Sequence, residues 1–161
     1  MDDPVTGLYN RPGFLIQAAQ RLKAAPGAPK CSVLVLADID GFRRVNTVIG
    51  HRAGDGVLKE ASQRLEQLGG DHQLRGRIGD DEFAVLAVGL DHEGLAEEFA
   101  RRVHLALNFD YSGVSVRSST GYARSPRDAQ GIESLLLAAE GSLTTAKDHE
   151  SERFAGPADR I

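Results

Sequence analysis

The sequence predicts an α/β sandwich, an α+β domain whose mixed, partly antiparallel central sheet has the split βαβ, ferredoxin-like arrangement. Three observations carry this. Apolar periodicities run in the order helix, strand, helices, two-strand hairpin, helix, strand, helix, with room for one more short strand near Phe109 to Tyr111. Cys31 to Ile39 (CSVLVLADI) is a nearly continuous apolar run, short enough for a strand buried on both faces. RIGDDEF, Arg77 to Phe83, lies between two alternating runs, His72 to Ile78 and Glu82 to Val88, and reads as a hairpin with an acidic tip.

In chain order, Asp2 to Arg11 is turn-rich and ends in Asn10, a good helix cap, with Pro12 at a permitted first-turn position. Phe14, Leu15, Ala18, Ala19 and Leu22 then recur at helical spacing until Pro26 and Gly27. After the central strand, a short helix spans Gly41 to about Ile49, and Gly50 to Gly56 reads as a loop. Val57, Leu58, Ala61, Leu65 and Leu68 mark a longer helix. Gly79 and Asp80 suit a two-residue primed turn at the hairpin tip, because both tolerate φ > 0. An amphipathic helix over Asp91 to about Asn108, an alternating strand over Val114 to Ala123 and a helix from Ile132 to about Glu150 complete the chain.

The 161 residues, 41% hydrophobic, suffice for one domain that buries a core without staples. A net charge of -4 and no basic stripe argue against a sequence-independent nucleic-acid binder. The lone Cys31 excludes an internal disulfide framework and reads as a buried thiol in a reducing cytosol. No run reaches the roughly 20 apolar residues of a membrane helix, and no signal peptide opens the chain, so a cytoplasmic domain without direct membrane contact is expected.

The chemistry concentrates in two acidic groups. Side chains two apart on a strand share a face, so Asp38 and Asp40 point one way and Ile39 the other. Paired carboxylates at the end of a buried strand need neutralising, and hard oxygen ligands suit Mg²⁺. The alternative is that one aspartate caps the next helix, just as an acidic tip can be a solvated turn. The fold can bring Asp38, Asp40, Asp81 and Glu82 together, as phosphoryl and nucleotidyl transfer require. No phosphate-cradling Walker loop is present.

These residues resemble the GGDEF domains, diguanylate cyclases that condense two GTP into cyclic di-GMP. RIGDDEF is similar to the signature hairpin, DPVTGLYNR to the family's opening, ADIDGFRRVNTVIGHRAGDGVL to its central block, SSTGYA to its late strand and AAEGSLTTAK to its closing helix. The resemblance covers almost the whole chain, which reads as one domain, 1–161, cut from a longer protein with a sensory or EAL phosphodiesterase domain beside it. It implies Asp38, Asp81 and the Ile39 carbonyl as ligands of Mg²⁺ (or Mn²⁺), with Asp81 and Glu82 as the catalytic acids. It further implies Asn46 and Asp55 as readers of guanine, and Phe42, Arg43, Gly79, Asp80 and Lys147 lining the GTP site. His51 matches a family histidine with a structural role in the loop.

Departures temper that expectation. Asp80 replaces the signature's second glycine, and Ser151 stands where a phosphate-binding arginine is usual, with Arg153 two residues on. Glu140 and Thr144 replace a family aspartate and tyrosine. Gly70 and Gln73 occupy the positions of the inhibitory RxxD motif, so the usual product-inhibition site is expected to be absent. The expectation is therefore a degenerate GGDEF domain that binds GTP with Mg²⁺, has weak or no cyclase activity and regulates a neighbouring domain. An active cyclase working as a head-to-head homodimer is the alternative, and a nucleotide-free scaffold the third.

Overall fold

The structure, a computed structural model, describes residues 1–69, 73–149 and 152–157. Gly70 and Ser151 therefore lie outside the described residues. The elements are α1 (Arg11–Ala24), β1 (Cys31–Ile39), α2 (Phe42–Ile49), α3 (His51–Gln67), β2 (Gln73–Arg77), β3 (Glu82–Leu90), α4 (Glu93–Ala106), β4 (Phe109–Tyr111), β5 (Val114–Val116), β6 (Ser118–Ser125), α5 (Ile132–Lys147) and β7 (Phe154–Ala155). Five strands form one sheet in the order β2-β3-β1-β6-β7, antiparallel except for β6 with β7, while β4 and β5 form a separate ribbon. Helices cover both faces, as the sequence predicts.

The continuous apolar run becomes the central strand because each of its faces meets a helical layer. Val33, Val35, Ala37 and Ile39 pack with Val57, Leu58 and Leu65 of α3 and Phe99 and Val103 of α4. Leu34 and Leu36 pack on the other side with Phe14 of α1 and Leu135, Ala139 and Leu143 of α5. Each such side chain, fully withdrawn from water, contributes about 2 kcal/mol, which is what fixes the strand's register. Asn10 caps α1 as expected, its Oδ1 accepting the Gly13 N–H at 3.0 Å.

The structure corrects three local expectations and adds one short strand. Gly50 to Gly56 is not a loop: α3 starts at His51 and runs through both glycines. Helix propensity disfavours glycine, but here close packing requires it. A Cβ on Gly54 would lie 1.7 Å from Asn46 Oδ1, and one on Gly56 2.0 Å from the Tyr111 hydroxyl oxygen. The strand expected over Val114 to Ala123 breaks at Arg117, dividing residues between the β4/β5 ribbon and the main sheet. β7, two residues long, has too little sequence to announce itself. At the hairpin tip neither Gly79 nor Asp80 has positive φ. The tip is a four-residue loop, Ile78 to Asp81, whose Ile78 and Gly79 N–H groups both donate to the Glu82 carbonyl, at 2.9 and 3.3 Å, so no primed turn is needed.

Arg75 is tied into the scaffold. Its guanidinium donates to the Leu65 and Gly69 carbonyls at the end of α3, at 3.1 and 3.3 Å, and to Gln73 Oε1 at 3.0 Å. Among the described residues no helix is long and apolar enough to cross a membrane.

Candidate active site

The end of β1 is held from three sides. In register, Asp38 lies opposite Glu82 of β3 and opposite Ser119 of β6. The Ile39 N–H donates to the Asp81 carbonyl at 3.0 Å, docking the hairpin tip onto the strand end. Arg77 grips the tip from behind, donating to the Asp80 carbonyl from Nη2 at 2.7 Å and from Nε at 3.1 Å. Its Nη1 pairs with Asp3 Oδ1 at 2.9 Å, and Asp3 in turn accepts from the Thr6 N–H and hydroxyl, each at 2.8 Å. Burial raises the Asp3 pKa, yet the Thr6 hydrogen bonds and the Arg77 charge outweigh it and hold the carboxyl below its usual range. Asp80 itself is exposed.

Asp38, Asp81 and Glu82 form one electrostatic unit. Asp38 Oδ2 accepts from Lys147 Nζ at the end of α5, whereas its Oδ1 is buried and has no hydrogen-bond partner. Burial, then the charge and closeness of the Asp38 carboxylate, push the Glu82 pKa up to about 7, with Glu140 adding to the rise. Burial and Asp38 also raise Asp81. Lys147 is partly buried, which opposes its charge, but the bond to Asp38 and the nearby Glu82 and Asp81 keep its pKa above the ordinary value.

This arrangement has a measurable pH signature. Because folding raises the Glu82 pKa, the native state holds that proton more tightly than the unfolded chain. The stability it contributes is complete below about 4.5 and is lost as pH rises through about 7. A shift of that size corresponds to at most about 3 kcal/mol, reduced to about 1 kcal/mol by screening at a half-exposed site. Glu82→Gln should therefore flatten the stability profile between pH 5 and 8 by about 1 kcal/mol, read by thermal unfolding in chelator. An unchanged profile would show that Glu82 does not carry it.

The residues fit a divalent ion. Two carboxylates and a backbone carbonyl are hard donors, and the unpartnered Asp38 Oδ1 is the kind of buried atom a cation satisfies. Among the described residues no three His, Cys, Asp or Glu side chains gather into a metal cluster. That suits an ion held by one or two carboxylates with substrate phosphates supplying the rest, the usual mode for Mg²⁺.

Asp40 stands apart from the other acids. Its Oδ1 accepts from the Ser119 hydroxyl at 2.7 Å, and its Oδ2 lies 3.7 Å from Arg153 Nε. Arg153, with φ at 53°, also donates to Ser119 Oγ at 3.2 Å and to the Lys147 carbonyl at 3.5 Å. The expected convergence of four acids is thus not one cluster: Asp81 and Glu82 each feel the Asp38 charge, while Asp40 faces Arg153, its buried Oδ2 without a hydrogen-bond partner.

α2 follows β1 after the left-handed Gly41, at φ 65°. Asn46 of α2 lies against Gly54 of α3, so the missing Cβ sets the spacing between the half-buried amide and the exposed Asp55 one residue on. Phe42 is only 7% exposed and belongs to the core, where it anchors the start of α2; Arg43 is exposed. His51 is exposed in the first turn of α3, not in a loop. Sequence reasoning missed Asp3, Arg77 and Ser119 as residues that position the site. Asp3 and Thr6 did carry a signal, the turn-forming spacing in DPVT.

Comparison with known proteins agrees with this geometry. A profile described as "Diguanylate cyclase, GGDEF domain" matches residues 1–153. The chain is similar to the diguanylate cyclase DgcN of Escherichia coli, at 30% identity over 96% of this chain and 38% of DgcN. It is likewise similar to the cyclic di-GMP phosphodiesterase NbdA of Pseudomonas aeruginosa, at 31% identity over 90% of this chain and 19% of NbdA. It therefore spans only about a fifth to two fifths of these two relatives. The solved GGDEF domain of TpbB (YfiN) from Pseudomonas aeruginosa superposes with a TM-score of 0.88 at 27% identity, covering 98% of this chain and 94% of that one. With a profile matching nearly end to end and the signature hairpin docked on the paired-aspartate strand, the chain belongs to the GGDEF domain family.

Proposed function

We propose that this is a degenerate GGDEF domain of cyclic di-GMP signalling that binds GTP with Mg²⁺ (or Mn²⁺), has weak cyclase activity or none, and regulates a neighbouring domain such as an EAL phosphodiesterase. The observation that carries the binding half is the buried, unpartnered Asp38 Oδ1 beside Asp81 and Glu82. Asp38, Asp81 and the Ile39 carbonyl would hold the ion. When bound, it supplies Lewis-acid charge that neutralises the triphosphate. Asn46 and Asp55 read the guanine edge, an amide and a carboxylate facing its donors. Lys147 exchanges its Asp38 partner for phosphate, and Glu82, at about 7, can hold or release a proton near neutrality. Support for weak turnover is the acid at position 80 and the engagement of Arg153 with Asp40, which leaves the absent phosphate arginine unreplaced. Similarity to both a cyclase and a phosphodiesterase supports a regulatory setting.

One observation favours an active cyclase working as a homodimer: Asp80 is exposed, so water screens its charge. Calorimetric titration of GTP with Mg²⁺ into the 161-residue chain tests the shared premise, since binding one nucleotide does not need the second subunit. Saturable heat with GTP and none with ATP is expected. No heat at millimolar GTP would reject both readings and leave the scaffold.

A further inference from the structure

The end of the sheet opposite Asp38 holds a recess of about 580 Å³ between the last turn of α1, the start of β1, the end of β6 and the first turn of α5. Its volume falls in the range of small-molecule sites. α5 is 16 residues long and begins at Gly131, at φ 80°, with no side-chain cap. The first intrahelical bond there runs from the Leu135 N–H to the Gly131 carbonyl. The N–H groups of Ile132, Glu133 and Ser134, all lining residues, thus carry the helix's positive end with no helical acceptor.

A second, independent feature points into the same space. Ser32 is only 2% exposed and lines the recess, and its hydroxyl has no hydrogen-bond partner among the described residues. Its direction follows from strand parity. Leu34 and Leu36 face α1 and α5, so Ser32, two residues earlier, faces the same way. Ser125, its in-register partner on β6, shares that face and also lines the recess. That hydroxyl opens onto the recess, where a bound group can reach it.

We infer that this recess is a binding site for a small organic acid. Its oxyanion head, a carboxylate or a phosphate, sits between the α5 N-terminus and the Ser32 and Ser125 hydroxyls, and its apolar body lies against Ala19 and Leu22 of α1. The charges at the rim balance: Lys23 at the end of α1 opposes Glu133 in the first turn of α5, and both are exposed. The net attraction for an anion therefore comes from the helix terminus and the hydroxyls. The site shares no residue with the nucleotide site, so each can fail without the other.

Amide chemical shifts of the 161-residue chain, followed while phenyl phosphate or benzoate is titrated into the millimolar range, test this. Inorganic phosphate serves as the head group alone. The expected result is saturable shifts at Ile132, Glu133, Ser134 and Ser32 with at least one aryl acid, and the preferred acid tells phosphate from carboxylate. Ser32→Ala should weaken binding about tenfold, by losing one hydrogen bond to a charged group. Ser134→Asp places a carboxylate at the exposed helix start; it should abolish binding without harming the fold, since an acid in the first turn favours the helix. GTP titration serves as the control that both variants keep the other site. No saturable shift at these residues with any probe, or binding unaffected in both variants, would overturn the assignment.

Discussion

Gly121→Ala should lower stability by about 3 kcal/mol and the melting temperature by roughly 10 °C. A Cβ at this position in β6 would lie 2.1 Å from the Leu143 nitrogen, 2.5 Å from its Cα and 2.6 Å from the Ser142 carbonyl carbon. All three are backbone atoms, so no rotamer change relieves the clash and α5 must move off the sheet. The helix carries Lys147 and Glu140, and its contact with Leu36 and Ala123 closes one core. Separation therefore loosens both packing and the Asp38 ion pair. Gly141→Ala in the same helix is the control. Nothing lies within 4 Å of a Cβ there, so it should gain up to about 1 kcal/mol from helix propensity. A Gly121→Ala loss below about 1 kcal/mol would mean that the close approach is not load-dependent on this glycine.

Asp80→Gly combined with Ser151→Arg should raise cyclase turnover about fiftyfold in a form held as a dimer by a fused coiled coil, measured as cyclic di-GMP released. A carboxylate about 5 Å from a triphosphate oxygen costs ~3 kcal/mol at a dielectric of 20 and ~1 kcal/mol in water. Because Asp80 is exposed, the lower end applies, so its removal is worth about fivefold. An arginine donating to phosphate adds about tenfold, and separated effects multiply. No gain from either substitution, with GTP binding intact, would remove the acid at position 80 and the missing arginine as grounds for the weak turnover proposed above.

Much of this was legible because each strong signal had one physical reading. Cys31 to Ile39 could only be a doubly buried strand, and its bounds match the structure. Asn10 with Pro12 announced the start of α1, and RIGDDEF announced a hairpin. Other features were hidden for equally physical reasons. Gly54 and Gly56 look like loop residues in one dimension, since only the fold reveals that Asn46 and Tyr111 occupy the places of their missing side chains. The shared-face rule placed Asp38 and Asp40 on one side, but it could not say that Lys147, 109 residues on, would bind one while Arg153 approached the other. Long-range partners of charged side chains leave no periodicity to read.

The Arg77 link has a consequence for how the domain is wired. Asp3 holds Arg77, Arg77 holds the Asp80 carbonyl, and the next residue's carbonyl is bound to the end of β1. A tug on the first three residues thus reaches the acidic tip through polar joints alone, bypassing both hydrophobic layers. Asp3→Ala would keep Leu8 and Tyr9 in the packed layers, yet it would free Arg77 from its anchor and leave the tip held by the Ile39–Asp81 bond and the hairpin's own hydrogen bonds.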